Sequence, residues 1–166
     1  MQLTGLIHRT SELLNSLVEK TICLLLAGMT AVTFAQVVCR LIQGSLPWSE
    51  ELSRYMMVYL TFLGLSVGVK RGVLINIEAF MNLFPPQIQN TGALFVTLLN
   101  MAFFYVLLRY GVKIVLFTLR QTSPAMGVKM GYIYASIAIG AALMMLHSVD
   151  NLLQKFSNKA TVNSHD

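Results

Sequence analysis

The chain has 166 residues, 55% of them apolar and only 11% charged, with a formal net charge of +5. That is the length of one domain and the composition of a membrane protein, and it leaves no room for a soluble catalytic domain beside the apolar segments. The basic residues are scattered at the edges of those segments, which points to membrane electrostatics and excludes a nucleic-acid partner.

Four intervals without charge set the architecture: Lys20 to Arg40, Arg54 to Lys70, Glu78 to Arg109, and Lys129 to Asp150 with His147 counted as neutral. Crossing a hydrocarbon core takes about 20 mostly apolar helical residues. The pattern therefore predicts an all-α integral membrane protein with four transmembrane helices. Ahead of the first span, Leu3, Leu6, Ile7, Leu13, Leu14, Leu17 and Val18 recur at helical spacings, with Arg9, Glu12, Ser16 and Glu19 elsewhere. Residues 2–19 are thus expected to form an amphipathic N-terminal helix in the interface, or an extension of span 1 into water or against a partner. Glu12, Glu19 and the length of the apolar run that follows speak against a cleaved signal peptide, so span 1 is expected to stay as an anchor.

Span 1 is placed at about 21–38. Its two cysteines, Cys23 and Cys39, lie 16 residues apart, about 24 Å along one helix, too far to pair with each other. A short turn at 43–47 leads to span 2 at about 48–69, with Ser45 or Ser49 as a candidate cap and Pro47 suited to the first turn. Residues 73–84 carry Asn76, Glu78 and Asn82; they are expected to form an interfacial helix between spans 2 and 3, ended by Pro85-Pro86. Span 3 is placed at about 89–108, its helix free to continue to Leu119, and span 4 at about 130–147. Residues 1–153 form a single domain on this reading, followed by a polar tail at 154–166 that is expected to be loose. With the N-terminus inside, six basic residues fall on each side of the membrane, so the positive-inside rule gives no orientation.

The densest polar cluster is Arg40 followed by Trp48-Ser49-Glu50-Glu51-Leu52-Ser53-Arg54-Tyr55. Glu50 and Arg54 stand at i, i+4 in the favourable order near a helix N-terminus, and Trp48 and Tyr55 are interfacial anchors by type. This segment reads as a well-made helix start at a membrane surface. It reads equally as a pairing of Arg40 with Glu50 or Glu51 that fixes the hairpin of spans 1 and 2 and extends to a subunit contact. Gly64 and Gly68 make a GxxxG on span 2, and Gly131, Ala135, Ala138 and Ala142 give span 4 a small face; both spacings suit helix packing. Asn100, deep in span 3, is expected to hydrogen-bond between helices, with a polar transport path as the alternative. His147 and Asp150 close span 4, where a lone histidine is an interfacial residue rather than a ligand. No Asp or Glu sits in the middle of a span, as a small proton-coupled exporter requires. There is no P-loop, nucleophile elbow or zinc motif. No catalytic, cofactor or metal role is expected of any residue.

The run from Arg40 to Glu78 resembles the small membrane subunit of the tripartite ATP-independent periplasmic (TRAP) transporters. That family has an Arg closing span 1, a Trp-Ser/Ala-Glu-Glu-Leu-x-Arg motif opening span 2, then Phe-Leu-Gly and a basic pair with Gly. Here these stand as Arg40, Trp48 to Arg54, Phe62-Leu63-Gly64 and Lys70-Arg71-Gly72. Thr122-Ser123-Pro124-Ala125-Met126 and Gly131-Tyr132-Ile133-Tyr134 resemble the family's connection between spans 3 and 4. One departure is Leu74, where the family often has His; the acid that usually follows is present as Glu78.

The resemblance implies a multi-pass protein of the bacterial inner membrane with both termini cytoplasmic. It implies two protein partners besides membrane lipid: a large TRAP permease subunit carrying substrate and sodium, and a periplasmic substrate-binding protein delivering an organic acid. This subunit would brace the large one. Arg40, Trp48, Glu50, Glu51, Arg54, Gly64, Gly68 and Asn100 are the candidates for structural or subunit contacts, and Arg120 and Lys129 for docking the binding protein. The rival readings are a small homo-oligomeric exporter, which lacks its mid-span acid here, and a structural tetraspan protein unrelated to transport, which leaves the Trp48–Arg54 order unexplained.

Overall fold

The computed structural model describes residues 2–42, 44, 46–72 and 86–162. These form four helices: α1 Gln2–Leu41, α2 Pro47–Lys70, α3 Pro86–Thr118 and α4 Met130–Val162. Each is long and apolar enough to cross a membrane. The chain is therefore an all-α membrane protein, as its composition requires, because a helix satisfies its own backbone groups where no water can.

The helix boundaries follow from local chemistry. Residues 2–19 continue into span 1 without a break, giving one helix of 40 residues, about 60 Å long. Of the two readings of this segment, the extension is the one observed: the stretch contains no proline to turn the chain. α2 begins with Pro47 at its first position and Leu46 as N-cap, with no side-chain cap bond. Ser49 is not the cap; it lies one turn inside, where its hydroxyl donates to the Leu46 carbonyl at 2.7 Å. Ser45 and the expected interfacial helix at 73–84 lie outside the described residues. α2 ends at Gly72, which takes the left-handed φ of 70° and donates to the Val69 carbonyl at 3.1 Å, a conformation that glycine adopts at no steric cost. α3 starts on a proline and runs to Thr118. α4 passes Gln154 and reaches Val162, there being no glycine or proline after Gly140 to end it.

The helices stand in a row rather than a closed bundle. α4 lies between α2 and α3, and α1 rests mainly on α2 with a lighter contact to α4. The buried cluster of Val69, Phe104 and Met144, with Phe62, Leu107 and Met145 against it, fills the space between α2, α4 and α3. Small residues set the spacing. A Cβ built on Gly111 of α3 would lie 3.2 Å from Ile137 and 3.4 Å from the Ala138 backbone of α4, and one on Gly131 would lie 2.7 Å from Leu119. On the other side of α4, a Cβ on Gly140 would lie 2.8 Å from Phe62 Cβ and 3.0 Å from Phe62 O of α2. Glycines at these points let the helices approach closely. Of the small face expected on span 4, Gly131 and Ala138 meet α3, whereas Ala142 is exposed. The closest approach of α2 and α4 uses Gly140, whereas a Cβ on Gly64 would meet nothing of the described residues within 4 Å.

Buried hydroxyls within the row turn back on their own helices. Ser66 donates to Leu63 O at 2.7 Å, and Ser136 to Ile133 O at 2.8 Å. Both are fully buried, and these bonds remove the cost of an unpaired polar group.

The Cβ added by Gly140→Ala meets backbone that cannot step aside, so it should destabilise the chain by about 1–3 kcal/mol. Gly64→Ala, which meets open space, should leave unfolding unchanged. Thermal unfolding in detergent followed by circular dichroism compares the two, and equal effects would place the critical helix approach elsewhere.

Candidate functional site

Two polar clusters join the helices, one at each end of the row. The larger begins with the polar stripe of α1, where His8, Ser11, Glu12, Asn15 and Glu19 recur at intervals of three and four and so share one helix face. That face meets the last turn of α2 and the stretch of α4 around His147 to Asn151.

Lys70 stands at the centre. Its ammonium donates to Asp150 Oδ2 at 2.7 Å and Ser11 Oγ at 2.9 Å, and lies 3.1 Å from Glu12 Oε1. The pair is desolvated: the Lys70 side chain is 9% exposed and that of Asp150 is 2% exposed. Glu12 keeps about half its surface in solvent. His8 Nδ1 lies 3.3 Å from Asp150 Oδ2, and Ser11 Oγ and His147 Nδ1 are 2.8 Å apart. Around this centre, Asn151 donates to the Val69 carbonyl at 2.9 Å, Arg71 to Glu19 at 2.7 Å, and Asn15 to the same Glu19 oxygen at 2.8 Å. The Nε2 of the fully buried His147 meets no partner among the described atoms.

At the opposite end, Glu51 of α2 reaches the turn between α3 and α4. Its carboxylate accepts from Ser123 Oγ at 2.6 Å, Ala125 N at 3.2 Å and Met126 N at 3.1 Å. The turn is folded to present those donors. Ser123 N bonds to Val128 O, Gly127 N bonds to Ser123 O, and Gly127 takes a positive φ of 66°. Successive amides in such a turn form a concavity that suits an anion. Tyr59 adds a bond from its hydroxyl to the Tyr132 carbonyl at 2.6 Å.

The residues singled out in the sequence distribute as follows. Glu51 is the one whose contacts tie elements together. Arg40 is exposed on the last turn of α1, and Trp48, Glu50 and Arg54 are exposed at the start of α2. Among the described residues the ion pairs are those of Lys70, Arg71 and His8 given above, so the structure does not bring Arg40 to Glu50 or Glu51. The Glu51 carboxylate is already occupied by three donors of the turn between α3 and α4. Gly64 faces open space, Gly68 is half-buried, and Asn100 is half-buried on α3, apart from the interhelical hydrogen bonds of the described residues. Arg120 and Lys129 are exposed on either side of the turn.

Sequence reading placed Lys70, Glu12, His147 and Asp150 separately and did not join them. Periodicity carried part of the signal: His8 to Glu19 share one helix face, and Lys20, Lys70 and Asp150 each bound a charge-free interval at this level.

Among the described residues no group of three or more His, Cys, Asp or Glu is arranged to hold a metal ion. The cluster's own ammonium occupies the space between the two carboxylates. Chemically this arrangement clamps three helices.

Residues 29–158 match the family described as tripartite ATP-independent periplasmic transporters, DctQ component. The chain is 28% identical over 126 residues to the sialic acid TRAP transporter permease protein SiaT of Haemophilus influenzae, covering 75% of this chain and 20% of that protein. It is 30% identical over 101 residues to the C4-dicarboxylate TRAP transporter small permease protein DctQ of Vibrio cholerae, covering 60% of this chain and 44% of that one. The chain thus spans less than half the length of either relative. The family match takes in Lys70, His147 and Asp150, while His8, Ser11 and Glu12 precede its first residue.

Removing one partner of a buried ion pair leaves the other charged and unpaired, so Lys70→Ala or Asp150→Ala should cost about 3–5 kcal/mol, whereas replacing both with apolar residues of similar volume should cost less than either single change. Arg71→Ala breaks a solvated pair and should leave stability within error. Denaturation of the four variants in mixed micelles checks the cycle. A double variant as unstable as the sum of the singles would show that Lys70 and Asp150 act independently.

Proposed function

The chain belongs to the DctQ component family of the tripartite ATP-independent periplasmic transporters, as a small permease subunit, and we propose that its part in such a transporter is that of a brace. A larger permease carries substrate and sodium, a periplasmic binding protein delivers the substrate, and this chain holds the larger subunit in the bacterial inner membrane without touching the cargo. The observation that carries this reading is the occupied centre of the Lys70 cluster. Ion and substrate sites in secondary transporters need vacant polar groups, commonly at broken helices near the midplane. Here α1 to α4 are unbroken, and the buried carboxylate of Asp150 is already paired with Lys70.

The cargo of the complex is an organic acid. The printed names of the two relatives mention sialic acid and C4-dicarboxylate, which are both carboxylates. The larger subunit rests on the surface that carries Arg40, Trp48, Glu50, Arg54, Gly64, Gly68 and Asn100. Gly64 supports this assignment: it lies beside the exposed Thr61 and Leu65, and a Cβ there would meet none of the described residues. Both termini face the cytoplasm. Arg120 and Lys129 then lie at the periplasmic surface, where they meet an acidic face of the binding protein.

Reconstitution tests the reading. Sodium-driven organic-acid uptake into liposomes should require this chain, the large permease and the binding protein together, and uptake by this chain alone would refute the brace. In intact cells an impermeant thiol reagent should spare a cysteine placed at Asn158; labelling there would reverse the orientation.

A further inference from the structure

α3 carries two cations that meet no counter-charge among the described residues. Arg109 and Lys113 stand one turn apart, both exposed, within the apolar stretch Phe95–Thr118. Gly111, between them, packs against Ile137 and Ala138 of α4. That contact sets both cations near the first two turns of α4, within the last third of α3, which ends at Thr118. There is no Asp or Glu between Glu78 and Asp150, and the ion pairs among the described residues involve neither cation. Lys113 Nζ lies 5.4 Å from the centre of the Tyr110 ring, a contact that leaves its charge available to an anion.

Beside the two basic side chains the surface of α3 has a shallow open depression bordered by Tyr105, Leu108, Arg109, Val112 and Lys113, all of one helix. Its surroundings on α3 are apolar and exposed, including Val106 and Leu116. The occupant must therefore bring negative charge to two neighbouring cations and apolar surface to the depression. A phospholipid brings both: its phosphodiester shares one negative charge over two non-bridging oxygens, one for each cation, and its acyl chains cover the apolar face. A carboxylate on a partner helix is the competing occupant, and the test below separates the two. Arginine donates in a planar fork that matches a phosphate, lysine adds a flexible point charge, and both stems can lie along apolar surface while their heads reach toward the headgroup layer.

We propose that Arg109 and Lys113 hold the phosphodiester of a phospholipid whose acyl chains lie along the exposed face of α3. This requires only that α3 lies in a bilayer and is independent of the brace.

Native mass spectrometry of the full chain in detergent, titrated with phosphatidylglycerol, phosphatidylethanolamine and diacylglycerol, tests it. Both phospholipids should bind, phosphatidylglycerol the more tightly, and diacylglycerol, which has no phosphate, should not. Arg109→Gln with Lys113→Gln should weaken phospholipid binding about tenfold or more, while Arg109→Lys with Lys113→Arg should retain most of it; circular dichroism checks that each variant folds. Unchanged binding in the folded glutamine variant would overturn the proposal. So would diacylglycerol binding to the unaltered chain as tightly as phosphatidylglycerol, a comparison that needs no variant. Loss of a co-purifying membrane protein with lipid binding intact would make the pair a protein contact and would likewise overturn it.

Discussion

Lys70 places one ammonium 2.7 Å from Asp150 and 3.1 Å from Glu12, and in doing so ties α1, α2 and α4 at one level. In a membrane protein the apolar faces of helices gain little by meeting one another, because lipid tails are as apolar as leucine. The helices are held by close packing and by a few polar contacts, and a desolvated ion pair fixes register more strictly than apolar contact can. Sliding α1 by one turn would carry Ser11 and Glu12 about 5 Å away from the ammonium. Asp150 would still hold α2 to α4, but the third helix would be lost.

That clamp explains the division of labour along the row. At one end the contacts are charged and buried; at the other, the Glu51 carboxylate seats in the turn of residues 123–127 and fixes the α3–α4 connection against α2. Between the two clusters no charge is needed, and glycines at 111, 131 and 140 bring the backbones close instead. α4 takes part in the charged cluster and in the glycine contacts, and the turn that seats Glu51 leads straight into it. α1 and α3 are left with broad exposed apolar faces, among them Leu24, Phe34, Phe95 and Phe103, suited to lipid and to a larger membrane partner.

The four helices were legible in the sequence because a charge-free interval of about 20 residues has few other meanings, and the continuation of span 3 because no proline interrupts it. Family resemblance was legible in the order of short motifs from Arg40 to Glu78, each weak alone. The clamp was not, since Glu12, Lys70 and Asp150 are far apart in sequence and helical periodicity only shows that each lies on some polar face. The partner of Glu51 was hidden for a different reason. Arg40 is near it in sequence, but a carboxylate seeks the most numerous donors within reach, and two of those are backbone amides that carry no signature in sequence. The glycines show the same limit: Gly64 and Gly68 have the familiar spacing, yet within this chain the close approach of α2 and α4 falls at Gly140, whose importance depends on which residue of α2 faces it.

On the brace proposed above, a chain clamped at both ends and unbroken between them moves as one body while the larger subunit does the work of transport. Pulsed electron paramagnetic resonance between spin labels at Ile42 and Arg120, at the ends of the two outer helices, measures this in the assembled transporter. With the complex trapped first with sodium and substrate and then without, the account predicts a distance unchanged to within about 2 Å, while a shift of about 5 Å, a full helical turn, would show that the row itself rearranges and would contradict it.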